Sequence, residues 1–589
     1  MRRSRRLAVP LVLLVLAAWL AGCGSEAPAP ARDLQPVERG VVAAPERRAA
    51  AVGAEILAAG GNAVDAAVAV HFALAVTFPS AGNIGGGGFA LVRDPMGPVY
   101  ALDFRETAPS EAHPDLFLDK AGNVVPGKSL WSGAAVGVPG SVRGMWELHR
   151  RFGSLPWKDL LAPAIRLAEE GFELDPWTAE SFARAAKRYR EVDEPWAERI
   201  DFARWFHGEA GETFRQPQLA ETLRKIAAEG PGGFYEGPVA RRIVETVARH
   251  GGTMTRVDLA EYRAVWRVPL EGTYRGRRVV AMPPPSSGGV ALLQLLGMLE
   301  RFDVPPFGSA ERVHLFAELE KRVFADRSEY LGDPDQVDVP VARLLDPAYL
   351  ARRASEVRLG ERTDPATIRP GLAPEDEAAA GLREGTETTH FSIVDRHGMA
   401  VAETTTLNTS YGTGIVVEGA GFLLNNEMDD FAAKPGVPNV YGVTGSTANE
   451  VRPGRRMLSS MCPTFVYGDG GLDHLWLVLG SPGGPTIFTT VFQLVVDTVD
   501  DRAPLAEAVG RPRFHHQWPP PAPDRDEILV EDAPGRRLPP ETLERLEAMG
   551  YALRRVKSIG AVQGVEIRDG RAAGVADPRL VGAVAEEPR

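Results

Sequence analysis

Apolar residues recur along the chain at spacings that change from stretch to stretch, and each spacing predicts an element. Four arginines, Arg2, Arg3, Arg5 and Arg6, precede an apolar run from Leu7 to Leu20. The run is short for a spanning helix and carries the basic flank of a secretory signal. Residues 45–59 read as a helix, Gly60-Gly61 interrupts it, and Asn62 is placed to cap a second apolar helix from Ala63 to about Val76. Gly82 to Gly88 leads into a strand, Phe89 to Arg93. Consecutive glycines can bring backbone close to a ligand. Here no Gly-Lys-Ser/Thr follows and no Rossmann context surrounds them, so they read as a packing turn.

Residues 157–262 are mostly helical in pattern, with charged faces and core-like aromatic spacings. Val279 to Met282 is β-rich and stops at Pro283-Pro284-Pro285, and Ala291 to Arg301 is a strongly apolar helix. From Thr363 to Thr386 the composition shifts to Pro, Gly, Glu and Ala without periodicity, the profile of an exposed loop. A strand follows at Phe391-Ser392-Ile393-Val394. Asp395-Arg396-His397-Gly398 is a turn and Met399 to Leu407 returns, a hairpin with Thr388 at its mouth. Leu475 to Leu479 and Ala552 to Ile567 are further strand candidates, while Thr486 to Val496 suits either a strand or a buried helix. No internal repeat is evident.

A length of 589 residues suggests several domains, and 44% hydrophobic with 24% charged residues is ordinary globular composition. The formal charge of −12 argues against a nucleic-acid partner, which needs clustered Lys and Arg. Of the two cysteines, Cys23 ends Leu20-Ala21-Gly22-Cys23, which looks like a bacterial lipobox. Cleavage before Cys23 would leave lipid on its thiol and new amine, with Gly24 to Arg32 as a tether. The protein is then expected on the periplasmic side of a bacterial membrane, lipid-anchored and without an intramolecular disulfide. Cys462, between Met461 and Pro463, reads as a buried small residue rather than a catalytic one. No metal is expected: His-Glu-x-x-His is absent, and adjacent His515 and His516 would point to opposite faces of a strand. Gly-x-Ser-x-Gly is absent too.

Thr388 carries the chemistry. If the bond after Glu387 breaks, one residue holds both a nucleophilic hydroxyl and an α-amine of pKa about 7.7 to 8.0 that serves as its base. Thr-Thr-His before a strand is by itself ordinary strand. Its surroundings are not ordinary: Thr404-Thr405-Thr406-Leu407-Asn408, Leu424-Asn425-Asn426-Glu427-Met428-Asp429-Asp430-Phe431, Leu458-Ser459-Ser460-Met461-Cys462-Pro463 and Gly480-Ser481-Pro482-Gly483-Gly484 follow in order. Upstream stand Gly60-Gly61-Asn62-Ala63-Val64-Asp65-Ala66-Ala67, Ala81-Gly82-Asn83-Ile84 with the glycines after it, Asp103-Phe104-Arg105-Glu106 and Pro285-Ser286-Ser287-Gly288-Gly289. Together these motifs resemble the γ-glutamyltransferase family, over nearly everything after the N-terminal segment.

The resemblance implies an α+β fold, the four-layer αββα sandwich of N-terminal-nucleophile hydrolases, built jointly by two products of self-cleavage. After the signal peptide (1–22) and the lipidated Cys23 with its tether (23–36) read from the N-terminus, it divides the chain into a large subunit (37–387) and a small catalytic subunit (388–589), the subunits forming a heterodimer. It implies that Thr388 attacks the Glu387 carbonyl and then the γ-carbonyl of glutathione or another γ-glutamyl compound. The glutamyl group passes to water or to an amino-acid or dipeptide amine. Family members vary at the residue before the nucleophile, so Glu387 bears on processing rate. Thr406 would orient Thr388, and the N–H groups of Gly483 and Gly484 would hold the oxyanion. Arg105 with Ser459 and Ser460 suits the donor's α-carboxylate, and Asp430, Glu427 and Asn408 suit its α-ammonium. Residues 434–449 resemble a lid loop, with Tyr441 over the pocket. No cofactor is implied. A glutaryl-cephalosporin acylase of the same fold is the competing enzyme, its donor lacking the α-ammonium that Asn408, Glu427 and Asp430 would recognise. An inactive surface-binding lipoprotein is a third reading, against which the complete set of site residues argues.

Overall fold

The computed structural model describes residues 35–96, 98–193, 195–372, 388–468, 474–520 and 525–588. Cys23 and Glu387 lie outside them, as do the signal, most of the tether and much of the loop before Thr388.

The predicted hairpin forms. Thr389–Val394 runs antiparallel to Ala400–Thr406, with Val394 opposite Ala400 and Thr405 opposite Thr389. Asp395 closes the turn: its Oδ1 accepts the N–H groups of His397 at 2.8 Å and Met399 at 3.0 Å, while Gly398 adopts φ 84°. Its Oδ2 accepts the Ala63 N–H at 3.0 Å, fixing the turn to the start of the second helix.

This hairpin is the centre of a seven-stranded antiparallel sheet ordered Ala583–Glu586, Val41–Ala44, Thr389–Val394, Ala400–Thr406, Gly87–Arg93, Val99–Asp103, Val265–Arg267. Strand alternation sends its residues to two places. Val42, Ala44, Ala90, Val92, Phe391, Ile393 and Val401 pack with helices Arg47–Ala58 and Ala63–Thr77. Val41, Ala43, Phe89, Leu91, Val394, Ala400 and Ala402 instead join a core with the second sheet. That sheet has six antiparallel strands, Arg571–Ala576, Gln563–Arg568, Leu475–Leu479, Thr464–Tyr467, Arg277–Ala281 and Leu270–Tyr274. Helices Gly288–Leu299, Ala310–Tyr330 and Thr486–Val499 belong to the same core. The result is helix, sheet, sheet, helix, and segments on both sides of Thr388 supply strands to both sheets.

The helix Ala63–Thr77 is buried at all 15 positions, which explains its Ala- and Val-rich composition. Its capping box is complete: Asn62 Oδ1 accepts from Val64 and Asp65, and Asp65 returns the bond to the Asn62 N–H. The glycine run is a packing turn, as expected. A Cβ on Gly86 would stand 2.0 Å from the Thr406 carbonyl oxygen, and one on Gly88 2.2 Å from that of Thr404.

Two sequence expectations sharpen. Thr486 to Val496 is the helix Thr486–Val499, entered through Gly483-Gly484-Pro485, so its largely apolar composition reflects burial. Residues 552–567 are not one strand. Ala552–Val556 pairs parallel with Glu527–Ala533 in a separate sheet, and Gln563–Arg568 joins the six-stranded sheet. The break lies at Gly560, whose φ of 62° no strand adopts.

Gly86→Ala tests the glycine turn. Overpacking against backbone costs typically about 1 to 3 kcal/mol, and here it would push Thr406 off the register that faces Thr388. The variant should lose thermal stability and mature slowly, read by melting and by the appearance of two chains on a gel; wild-type values for both would disprove the close-approach role.

Candidate active site

Thr388 sits one residue before the strand Thr389–Val394 and is 7% exposed. Continuing the hairpin register sets Thr406 across from it. Thr406 Oγ1 accepts the Asn408 N–H at 2.8 Å, and Asn408 holds a left-handed φ of 76°, which asparagine tolerates. The Asn408 side chain donates to the Asn426 carbonyl at 2.9 Å. Thus the strand end, the bend after it and the Asn425-Asn426 loop form one wall.

Every catalytic and substrate-binding residue proposed from sequence except Gly483 lines a single cavity with Thr388. Gly484 reaches the lining, with Gly483 one residue behind it. Their φ angles are 55° and 135°, and the Gly483 carbonyl accepts Thr486 N–H at 3.1 Å and Thr486 Oγ1–H at 2.9 Å. The pair therefore stands at the N-terminal, electropositive end of a 14-residue helix aimed at the cavity.

Glu427 to Asp430 form one turn of 3₁₀ helix, whose three-residue repeat puts Glu427 and Asp430 on the same side. Both pair with Arg105: Nη1 meets Glu427 Oε2, and Nη2 meets Asp430 Oδ2 at 2.5 Å. Glu106 Oε2 lies 3.6 Å from Nη1. The groups assigned to opposite charges of a donor are in direct contact here, as the two charges of an α-amino acid are attached to one carbon. Burial opposes the Arg105 charge, but Glu427, Asp430 and Glu106 outweigh it and raise its pKa. Burial likewise raises Glu427 and Glu106 above the usual carboxylate range and Asp430 above its ordinary value, against the pull of Arg105.

Residues 434–449 lie over these carboxylates. Asn439 Nδ2 donates to Asp430 Oδ1 at 3.1 Å, Val440 N–H to Asp429 Oδ2 at 2.9 Å, and Tyr441 Oη–H to the Asn408 carbonyl at 2.6 Å. Gln517 Nε2 holds the Tyr441 carbonyl at 3.0 Å. Ser459 and Ser460 face the cavity from another loop, where the Ser459 carbonyl accepts Ser287 N–H and Oγ–H, each at 2.6 Å.

Sequence reasoning missed three contributors. Arg327 lines the cavity from the helix Ala310–Tyr330; Asn439 lines it from the lid motif, where it carried no assigned role; Asp429 anchors that segment. His515 and His516 do diverge, to Thr489 at 2.9 Å and Asp526 at 2.5 Å. Cys462 is fully buried, and burial pushes its thiol up to about 12, in keeping with a packing role.

Asp429 gives the site a pH signature. Its Oδ1 accepts Ser129 Oγ–H at 2.6 Å, yet burial dominates and pushes the carboxyl up to about 7. A carboxyl raised in the folded chain adds stability below about pH 4 that is lost as the pH climbs through about 7. Asp429→Asn cannot ionise, so between about pH 5 and pH 8 its thermal midpoint should gain roughly 2 °C or more relative to wild type. A constant difference across that range would mean that Asp429 does not titrate there.

Residues 49–587 match the family described as gamma-glutamyltranspeptidase. The glutathione hydrolase proenzyme of Pseudomonas aeruginosa is 47% identical over 92% of this chain and 94% of its own length. That of Escherichia coli is 46% identical over 92% and 91%. Among solved structures, a cephalosporin acylase from Bacillus halodurans superposes with TM-score 0.79 at 29% identity, over 95% of this chain and 98% of that one. The helix–sheet–sheet–helix architecture is accordingly that of the N-terminal-nucleophile hydrolases, and the chain belongs to the gamma-glutamyltranspeptidase family.

Proposed function

We propose that the chain is a self-processing γ-glutamyltransferase and glutathione hydrolase whose nucleophile is Thr388. The observation that carries this is the placement of Thr388 at the mouth of the central hairpin, lining one cavity with Arg105, Glu427 and Asp430. In maturation Thr388 Oγ attacks the Glu387 carbonyl. The peptide C–N bond breaks, the freed α-amine takes the proton, and water hydrolyses the ester to leave two chains.

In turnover that amine accepts the Thr388 hydroxyl proton as Oγ attacks the donor's γ-carbonyl. Negative charge gathers on the carbonyl oxygen, where the N–H groups of Gly483 and Gly484 would receive it. Losing one such donor costs about 3 kcal/mol. Collapse expels the leaving amine, which regains the proton, and leaves a γ-glutamyl ester on Thr388. Water then gives glutamate, or the amine of an amino acid or dipeptide gives a new γ-glutamyl compound.

Likeness to a cephalosporin acylase over nearly the whole chain favours a second donor, the glutaryl group, which lacks the α-ammonium. Two carboxylates, Glu427 and Asp430, line the cavity around one guanidinium, and this surplus of acceptor oxygens supports the glutamyl donor, whose ammonium can use it where an apolar replacement cannot. The wild type should turn over γ-glutamyl p-nitroanilide at least about a hundredfold better in kcat/KM than glutaryl p-nitroanilide; the reverse preference would install the acylase reading. Thr388→Ala should remain one uncleaved chain and release no nitroaniline, and an active single chain would sink the mechanism.

The same proposal includes a lipid anchor at Cys23, supported by Leu20-Ala21-Gly22-Cys23 after a basic, apolar start. Two or three acyl chains hold a protein where one is marginal, which suits an enzyme on the periplasmic side of a bacterial membrane. Cys23→Ser should abolish incorporation of a labelled fatty acid and free the protein from membranes; undiminished label would refute the anchor.

A further inference from the structure

Arg327 is deeply buried without a carboxylate ion pair, as Arg93 and Arg455 also are among the described residues, and of these three it is the one that lines the cavity. Arg105, Arg312, Arg322 and Arg513 each hold a carboxylate at 2.5 to 2.9 Å. Arg327 instead donates Nε to the Ser287 hydroxyl at 2.9 Å and Nη2 to the Ser460 hydroxyl at 3.2 Å. Among the described residues no carboxylate forms an ion pair with it, and Asp430 is the acidic group whose field reaches it. A guanidinium taken out of water without a counter-ion is costly, and burial pulls this one down to about 10. It remains charged at neutral pH. Such a cation on the wall of a ligand cavity is accounted for when the ligand brings the anion.

Three observations say which part of the ligand. Arg105 is committed to both Glu427 and Asp430, so its charge is already matched and is not left over for an anion. The Ser460 oxygen accepts from Arg327, which leaves the hydroxyl proton to donate elsewhere, and no described protein group takes it. Ser287, the other partner of Arg327, donates to the carbonyl of Ser459, so one guanidinium orients both ends of the Ser459-Ser460 pair.

We propose that Arg327 is the positioning residue by which the pocket selects an α-carboxylate on the donor, directing the Ser460 hydroxyl at it and adding a cation that Arg105, held by Glu427 and Asp430, does not supply. This rests on the γ-glutamyl reading above and adds to it the residue that sets carboxylate selectivity. Arg327 touches no reacting atom, so its loss should appear in donor affinity and not in bond cleavage.

The test compares γ-glutamyl p-nitroanilide with its α-carboxamide, the same donor with a neutral amide in place of the carboxylate. Arg327→Gln should raise KM for the carboxylate donor about tenfold or more with kcat within about threefold, and should leave kcat/KM for the carboxamide within about threefold. Arg327→Lys keeps the charge without the fork that reaches both serines, so it should recover part of the loss on the carboxylate donor. Ser460→Ala should show the same selective loss, and the double variant should be far less than additive, because both substitutions remove one arrangement. Equal losses on both donors, or no loss on either, would overturn the proposal. Should Arg327→Gln fail to mature, Ser460→Ala and Arg327→Lys decide: a Ser460→Ala loss that ignores the carboxylate overturns it. A wild type that prefers glutaryl p-nitroanilide refutes the glutamyl reading itself, whereas a glutamyl-preferring wild type with unselective variants refutes the Arg327 assignment alone.

Discussion

The register between Thr389–Val394 and Ala400–Thr406 is the constraint on which the rest of the site depends. Both strands are buried on both faces, one toward helices and one toward a second sheet. A slip of one residue would exchange Phe391 and Ile393 with His390 and Ser392, placing a histidine and a serine among the helices. His390 belongs where it is: its ring bridges Thr404 Oγ1 at 2.8 Å and Ser392 Oγ at 3.1 Å, and burial holds it neutral, down to about 3. Gly86 and Gly88 against the Thr406 and Thr404 carbonyls lock the same register from the neighbouring strand. Thr388 and Thr406 reach one end of the cavity because these contacts leave no other alignment.

Around that end the carboxylates serve two purposes at once. Asp430 gives one oxygen to Arg105 and the other to Asn439, while Asp429 holds Ser129 and the Val440 N–H. Recognition of a cationic group and closure of residues 434–449 therefore draw on the same short turn. A substrate that rearranges Asp430 also alters what fastens the loop above it, and in a low-dielectric site neither change is small.

Much of this was legible in the chain. The hairpin and the Asn62 cap were readable because each is a local pattern whose partners lie within a few residues, and the glycine turn because its composition alone marks it. The cavity residues were readable through ordered motifs, and their convergence was not: Arg105 meets Glu427 across 322 positions of sequence. Arg327 was hidden for a different reason. Its helix, Ala310–Tyr330, mixes charged and apolar residues around its whole circumference, which resembles a solvated surface. The structure buries it because distant segments supply counter-charges, Asp497 for Arg312 and Asp526 for Lys321. Residues 552–567 read as one strand because periodicity does not register a single glycine at positive φ between two sheets.

Each sheet interleaves strands from before and after Thr388, and the ion pair of Lys321 with Asp526 joins the two sides deep in the core. While the chain is continuous, assembling these layers is a first-order event governed by loop closure within one molecule. Once the chain is cut, the same assembly becomes second order, and two separated fragments must find each other at whatever dilution prevails. Scission would thus leave the native contacts intact while removing the route by which they formed, so the mature protein persists by the slowness of its opening more than by any ability to reassemble.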